Sequence, residues 1–424
     1  MRTRLLLVVA LGSGCGDNVG HWSDAELIGR GSSARLAVSG DGHATVVFET
    51  GTGERHKTVW ANHFDPVSGW AEAAPLFEVD AGGRLGAAPM LLQLGGNTTG
   101  HAVAVVELST DTAQEVHAIR YDPAVGWGVA ALVDSTPDPA LFLPSAAGRF
   151  DVVVDDAGTA TAVYRMSIGG ADTVRASRQR FGEPWSAPVT LVETGTAPRA
   201  VRIAGDRAGI VMVTWTQREV MASRFDPGDS GSVGTWTAPE VIAEAGRVET
   251  QTTGISALAA GGPGTFFATA ITDDGLWAGR YEPSTGWVRA SIRDQGDIGL
   301  PTISADSSGR AVAVWQLTDA LALSARYDPV TGWGTRDRIA VGAQILRTAL
   351  ASDGSVIAAW DKTDRDTGFN YVWTSEQAPG HGWREPRRLD GSDESVRAIA
   401  TDAVGGAMLL HGTGAGITAR RYTP

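Results

Sequence analysis

The strongest constraint on this chain is a segment that keeps coming back. Arg326-Tyr327-Asp328-Pro329, followed by Gly332-Trp333, recurs as Arg120-Tyr121-Asp122-Pro123 with Gly126-Trp127. It recurs again as Arg280-Tyr281-Glu282-Pro283 with Gly286-Trp287, and as Phe64-Asp65-Pro66 with Gly69-Trp70. Weaker copies lie at 180–185, 224–236 and 381–383, and the chain ends inside one more, Arg421-Tyr422-Thr423-Pro424. Eight tryptophans mark the copies: Trp22, Trp70, Trp127, Trp185, Trp236, Trp287, Trp333 and Trp383, at intervals of 46 to 58 residues. A period near 50 means an array of like supersecondary units rather than two or three unrelated domains.

Each unit resolves into four short segments. In the clearest copy, 300–305 reads as a first strand, and Asp306-Ser307-Ser308-Gly309 as a tight turn. Asp caps its own backbone there, and Gly supplies the positive φ that closes a hairpin. A second strand follows over 310–315 and a third over 321–327. Asp328-Pro329 opens the next turn, with Pro suited to the second turn position, and 333–340 is the fourth strand. The β-branched and aromatic enrichment argues for strands, and no segment has the period of an amphipathic helix. Six residues after the turn glycines Gly42, Gly158, Gly209, Gly309 and Gly354 stand Phe48, Tyr164, Trp215, Trp315 and Trp360. Val106, Ala270 and His411 hold that position in the other units. A third column holds Trp60, Trp277 and Trp373. All 14 tryptophans therefore keep phase, which predicts packing between neighbouring sheets rather than ligand contact.

Repeated four-stranded antiparallel units predict an all-β fold, an eight-bladed β-propeller. The ends of the chain predict how the ring closes. The last unit stops without its Trp strand, and the first Trp strand, 22–28, has no preceding three. The N-terminal strand should complete the last blade and hide two sheet edges at once. The expected blades are 33–78, 88–134, 149–193, 199–243, 254–294, 300–340, 346–390, and 395–424 with 22–28. The 54 glycines suit a chain of many tight turns.

The formal charge of −13 argues against a nucleic-acid partner, because an acidic surface repels phosphate backbones. The N-terminus reads as an export signal: Arg2 and Arg4, an apolar run over 5–11, then Gly12-Ser13-Gly14 before Cys15, the only cysteine. A single cysteine excludes an internal disulfide. Gly12-Ser13-Gly14-Cys15 resembles the lipobox of bacterial lipoproteins. The resemblance implies a signal peptide over 1–14, lipidation of Cys15, a short tether over 15–21, and one propeller domain over 22–424. It places the protein in the cell envelope, touching the membrane only through the anchor. The apolar run is too short to span a bilayer.

Tyr327-Asp328-Pro329-Val330-Thr331-Gly332-Trp333 resembles the kelch segment Tyr-Asp-Pro-x-Thr-Asn-x-Trp. Trp185-Ser186-Ala187-Pro188 and the Asp306…Gly309…Trp315 string are similar to the Asp-box repeats of sialidase-like propellers. Eight tryptophan-led blades also look like those of quinoprotein dehydrogenases, although the adjacent cysteine pair of that family is absent. These resemblances cover residues 22–424 and imply architecture; none carries a catalytic residue across.

Loop lengths point to a working face. The turns between first and second strands, and those between third and fourth, are short and uniform. The connections between blades (79–87, 135–148, 244–253) and between second and third strands (50–56, 108–114, 166–172, 361–369) vary, and in a propeller they share one face. Binding sites sit on variable loops held by a rigid scaffold. The position just after each second strand opens there and reads Glu49, Glu107, Arg165, Thr216, Ile271, Gln316, Asp361 and Gly412. Glu49, Glu107, Arg165, Gln316 and Asp361 are the candidate binding residues; the alternative is a set of solvated strand ends. Asp364 and Asp366, before Gly368, form part of a calcium-loop pattern, so Ca²⁺ is the one cofactor to consider beside none. Gly228-Asp229-Ser230-Gly231 mimics a protease nucleophile motif, but no histidine stands in a context that would complete a triad. The repeated arginine before the Tyr-Asp-Pro segment reads as a brace paired with the acid two residues on.

The expected function is an envelope-anchored, monomeric, non-catalytic propeller that binds a protein or glycan partner through the variable-loop face. The alternative is a sialidase-like glycosidase or polysaccharide lyase acting on extracellular glycans. Hydrolysis would need two carboxylates facing each other across a pocket, one with a raised pKa. Glu49, Glu107 and Asp361 are the acids to inspect.

Overall fold

The computed structural model describes residues 20–52, 56–80, 91–109, 113–137, 150–194, 197–228, 234–244, 256–273, 275–292, 298–317, 320–389, 391 and 393–424. Cys15 and its leader lie outside them, as do Gly228-Asp229-Ser230-Gly231 in part and most of the three long connections between blades. The fold is an eight-bladed β-propeller of antiparallel sheets, with no helix among the described residues. The first strands of the blades are Ser32–Val38, Leu91–Gly96, Phe150–Val154, Arg199–Gly205, Ser256–Ala260, Ile298–Ala305, Gln344–Leu350 and Ser395–Thr401. Each packs beside the next and the eighth returns to the first, so these strands wall a central channel. The ring closes as expected. His21–Trp22 and Glu26–Gly29 pair with Gly416–Thr423, placing Trp22 opposite Tyr422 and Leu27 opposite Thr418.

The second strands are apolar on both faces because a neighbouring blade covers each face. The phased column Phe48, Val106, Tyr164, Trp215, Ala270, Trp315, Trp360 and His411 is at most 1 % exposed in every blade. The core is a set of wedges between adjacent blades: Val103 and Val105 pack on Phe150, Val152 and Tyr164, and Met408 and Leu410 pack on Val46 and Phe48. The outer Trp column is half-buried and packs on the third-strand aromatic of its own blade in six blades. Centroid separations run from 5.3 Å for Tyr121–Trp127 to 5.6 Å for Tyr281–Trp287.

The recurring turn works as a capped corner. Asp328 Oδ1 accepts from the amides of Val330 at 2.8 Å and Thr331 at 3.2 Å, and Gly332 closes the turn at φ 79°. Asp65 accepts from Val67 and Ser68 in the same way, and these amides hold its carboxyl down at about 2. The corner lies against the first hairpin of its blade: a Cβ on Gly309 would stand 3.6 Å from Pro329 Cγ, and one on Gly42 3.7 Å from Pro66 Cγ. Both sets of uniform turns therefore share one face.

The arginine of the repeat does more than expected. Arg224 and Arg280 do pair with Asp226 and Glu282 two residues on. The same position also reaches the aromatic of the next blade. Arg224 lies 5.9 Å over Tyr281, Arg280 5.1 Å over Tyr327, and Arg421 5.6 Å over Phe64. Arg120 lies 5.0 Å over Phe181 and donates to Gln179 Oε1. Where the residue types differ the junction is remade: His63 stacks on Tyr121 at 5.2 Å, Arg326 donates to Gln377, and Tyr422 donates to Glu376. In the third blade strand pairing aligns Arg178 and Gln179, not Arg180 and Phe181, with Arg120 and Tyr121. Arg178, 3.7 Å over Phe225, then makes that junction. All eight junctions carry such a link.

Candidate functional site

The variable-loop face holds the predicted residues, but most of them are committed to the scaffold. Asp361 is 1 % exposed. It accepts from Ser395 Oγ and the Val396 amide of the next blade, each at 2.7 Å. Burial pushes its carboxyl up, against those hydrogen bonds and the nearby Arg397 and Arg347. Glu107 is equally buried and accepts from Gln114 Nε2, which also donates to the Arg165 carbonyl of the next blade. Arg165 forks onto Asp172 across its own hairpin, with Nη2 at 2.7 Å. Gln316 donates to the Ala343 carbonyl in the connection to the next blade. Glu49 is half-buried and accepts from Ser33 Oγ at 2.6 Å. Asp361 thus stitches one blade to the next directly, and Glu107 does so through Gln114.

The Asp361–Gly368 stretch does not act as one cluster. Asp361 belongs to the second strand, while Asp364 caps its own exposed loop and accepts from the amides of Asp366 at 2.9 Å and Thr367 at 3.0 Å. Those amides hold its carboxyl down. Among the described residues no group of three or more acidic, histidine or cysteine side chains is placed to hold a metal ion.

A set of charges not singled out in the sequence lines the channel wall. Seven residues before each turn glycine, the first strands carry Arg35, Gln93, Asp151, Arg202, Ala257, Thr302, Arg347 and Ala398. The turn-glycine alignment that found the tryptophan column reaches these positions when read backwards. Arg397 stands one residue before the last of them. Arg35, Arg202 and Arg347 share one pose: each guanidinium donates to the carbonyl of its own preceding residue, Ala34, Val201 and Leu346, at 3.1, 2.9 and 3.1 Å. Arg35 Nε also donates to Gln93 Oε1 at 2.8 Å.

The backbone aims these side chains. Pairing with the second strand slips just before Arg35, Arg202 and Arg347, between Ser32 and Arg35, Arg199 and Arg202, and Gln344 and Arg347. Two residues before each arginine a non-glycine residue takes the left-handed conformation: Ser33 at φ 53°, Ala200 at 49° and Ile345 at 43°. A β-branched residue there is a marked outlier. The pairing is regular in the second, third and fifth blades, but it also slips before Thr302 in the sixth and Ala398 in the eighth, so the slip alone does not mark an arginine. Among the described residues of this column the left-handed residue two positions earlier goes only with Arg35, Arg202 and Arg347.

On the opposite face the channel mouth forms a cavity of about 240 Å³ lined by first-hairpin turns, among them Ser39, Asp206, Asp306 and Asp402. Those carboxylates are engaged: Asp306 accepts from Ser308 and Arg310, and Asp206 from Ala208, Ile210 and, across the blade junction, Gly264. Exposed valines on this face, Val67, Val125 and Val330, sit singly on the corners of separate blades.

No protein-family model matches the chain, and no curated protein matches it in sequence. Solved propellers resemble it in fold. A polysaccharide lyase, an ulvan lyase of family PL25, is 10% identical, with 75% of this chain and 89% of that one covered and a TM-score of 0.46. The Aleuria aurantia lectin, solved with Fucα1-6GlcNAc, is 11% identical over 73% of this chain and 94% of that one, with a TM-score of 0.39. The GH93 α-L-arabinofuranosidase of Fusarium graminearum is 11% identical over 68% and 89%, with a TM-score of 0.38. No residue role passes from them to this chain.

Proposed function

We propose that the protein is an envelope-anchored, non-catalytic propeller that binds a glycan at the channel mouth on its variable-loop face. The observation that carries this reading is the state of the three acids on that face. Glu49 and Glu107 accept hydrogen bonds within their own blades and Asp361 from the next blade, and Glu107 and Asp361 are buried, so these acids serve the scaffold rather than face one another across a pocket. A glycan fits better than a protein. A stable protein interface needs roughly 800 Å² per partner around apolar anchors, whereas the most exposed apolar residues of the corner turns, Val67, Val125 and Val330, stand one to a blade. A polar channel wall with guanidinium and carboxamide donors suits a hydroxyl-rich ligand. Lipidation of Cys15 would hold the ring at the membrane.

A glycan array probed with residues 16–424, and with the same protein carrying Arg35→Gln, tests the proposal. Binding of defined glycans, weakened by the substitution, is expected; binding to none of them would overturn it. Fractionation of cells expressing Cys15→Ser tests the anchor, with release from the membrane fraction expected.

A second reading, glycan cleavage, is favoured by Asp151. Its carboxyl lies in the channel wall near Arg202 and Arg35, and burial pushes it up, as a general acid requires. Its test is turnover: product release from the bound glycan that Asp151→Asn abolishes would establish it.

A further inference from the structure

The channel arginines narrow the ligand class. Arg35, Arg202, Arg347 and Arg397 make no ion pair with any described acid, although the chain as a whole carries a formal charge of −13. Arg347, Arg397 and Arg35 come from three consecutive blades, the seventh, eighth and first. Their charges act on one another: burial pushes the Arg35 guanidinium down, Asp151 opposes it next, and Arg347 and Arg397 add to the lowering with Glu49 against them. Burial lowers Arg347 too, with Asp361 opposing and Arg202 adding to the shift. Crowded like charges in a part-buried wall are costly, and an anion between them removes that cost. The wall also goes out of its way to present them. Three blades hold a non-glycine residue in the left-handed region two positions before the arginine, strain of the kind that collects at ligand clamps. Gly412 leaves room for Arg397, since a Cβ there would stand 2.7 Å from its Nε. Facing this arc, the third, fourth and fifth blades supply Asp151, Arg202 and Ala257.

Resting on the glycan reading, we infer that the ligand is an acidic sugar whose carboxylate or sulfate is held by Arg35, Arg347 and Arg397, with Arg202 across the channel. Guanidinium groups suit both anions because two parallel N–H donors match two oxygens.

The experiment is titration calorimetry of residues 16–424 with polygalacturonate, dextran sulfate and neutral dextran at low and moderate salt. Binding to one or both polyanions, weakening as salt rises, with none to dextran, is expected; the two polyanion arms separate carboxylate from sulfate recognition. Arg347→Gln should weaken binding roughly tenfold or more, and Gly412→Ala, which displaces the Arg397 guanidinium but keeps its charge, should weaken it too. Arg207→Gln, on the opposite face, should leave it unchanged; equal losses from Arg207→Gln and Arg347→Gln would overturn the inference by exposing general charge attraction. Melting curves of each variant separate lost binding from lost folding. Dextran binding that Arg347→Gln and Gly412→Ala leave intact would overturn the inference while the glycan reading stood. Failure of all three polymers, together with an empty glycan array, would overturn both.

Discussion

At the scale of single residues, the balance is between groups that brace the ring and groups left over for a ligand. Asp361 braces. Replacing it with Ala leaves the Val396 amide and Ser395 hydroxyl without their acceptor in a buried place, a loss of about 1–3 kcal/mol; Asp361→Asn keeps one acceptor and should cost less. Urea denaturation measures both. The pH dependence has a definite sign. Burial raises the folded-state pKa of Asp361, so its contribution is complete below the unfolded value of about 3.9 and is lost as pH rises through the folded value. The stability gap between the native protein and Asp361→Asn should therefore narrow from pH 4 to pH 7; a gap that widens would contradict the burial argument. The corner aspartates run the other way: Asp65 and Asp328 are held down by turn amides, and what they contribute is lost only as pH falls below the ordinary carboxylate range. Arg178 belongs with the bracing set. It lies 3.7 Å over the Phe225 ring, and burial pushes it down to about 10, so it stays charged at neutral pH. A double-mutant cycle of Arg178→Ala with Phe225→Leu should give a coupling of about 1 kcal/mol; none would mean that the contact is incidental.

At the scale of the element, the first strands are where sequence reasoning stopped short. Strand existence, the Asp-Pro corner and the phased tryptophans follow from local rules: period two, turn chemistry, and the need of a twice-covered strand to be apolar on both faces. The arginine column sits on the same repeat and can be read by counting back from the turn glycine. Its meaning could not be read so, because a lone arginine in a short strand looks like a solvated end until closure of the ring turns that strand toward a channel. The bulges were invisible for a related reason: nothing about Ser33, Ala200 or Ile345 as residue types favours a left-handed backbone, and tertiary demand overrides their propensity. That demand can be measured. Ile345→Gly removes a left-handed β-branched residue and should stabilise the fold by about 1 kcal/mol, read as a rise in Tm. If the bulge exists to aim Arg347, the more stable variant should bind its ligand no better than the native protein. A fall in Tm would show that the Ile345 conformation is relaxed rather than strained.

At the scale of the whole molecule, a ring has no terminal unit, and the protein achieves this with very little chain. The strand pair His21–Trp22 and Glu26–Gly29 covers the last sheet edge, Gly416–Thr423, and Trp22 packs 5.3 Å from Tyr422. Side-chain bonds tie the same seam: Arg420 donates to the Ser23 carbonyl at 3.1 Å, Arg387 to the Gly20 carbonyl at 3.0 Å, and the Arg421 amide to Ser23 Oγ at 3.0 Å. The seam was legible from the sequence because the copies are out of phase at the two ends, one strand too many at the start and one too few at the finish. Its energetic weight follows from the wedge-like core. Each blade buries its faces only against its neighbours, so opening one junction exposes two blade faces and an unpaired edge. A chain beginning at residue 31 lacks only the closing strands, yet it should unfold at lower urea than residues 16–424. Its free edge should also recruit a second copy, seen as a concentration-dependent dimer in sedimentation. Adding back a peptide of residues 20–30 should restore the monomer, because it supplies the missing strand without a covalent link. A truncated chain that stays monomeric and equally stable would mean that the ring holds itself shut through the channel strands and the arginine–aromatic links alone.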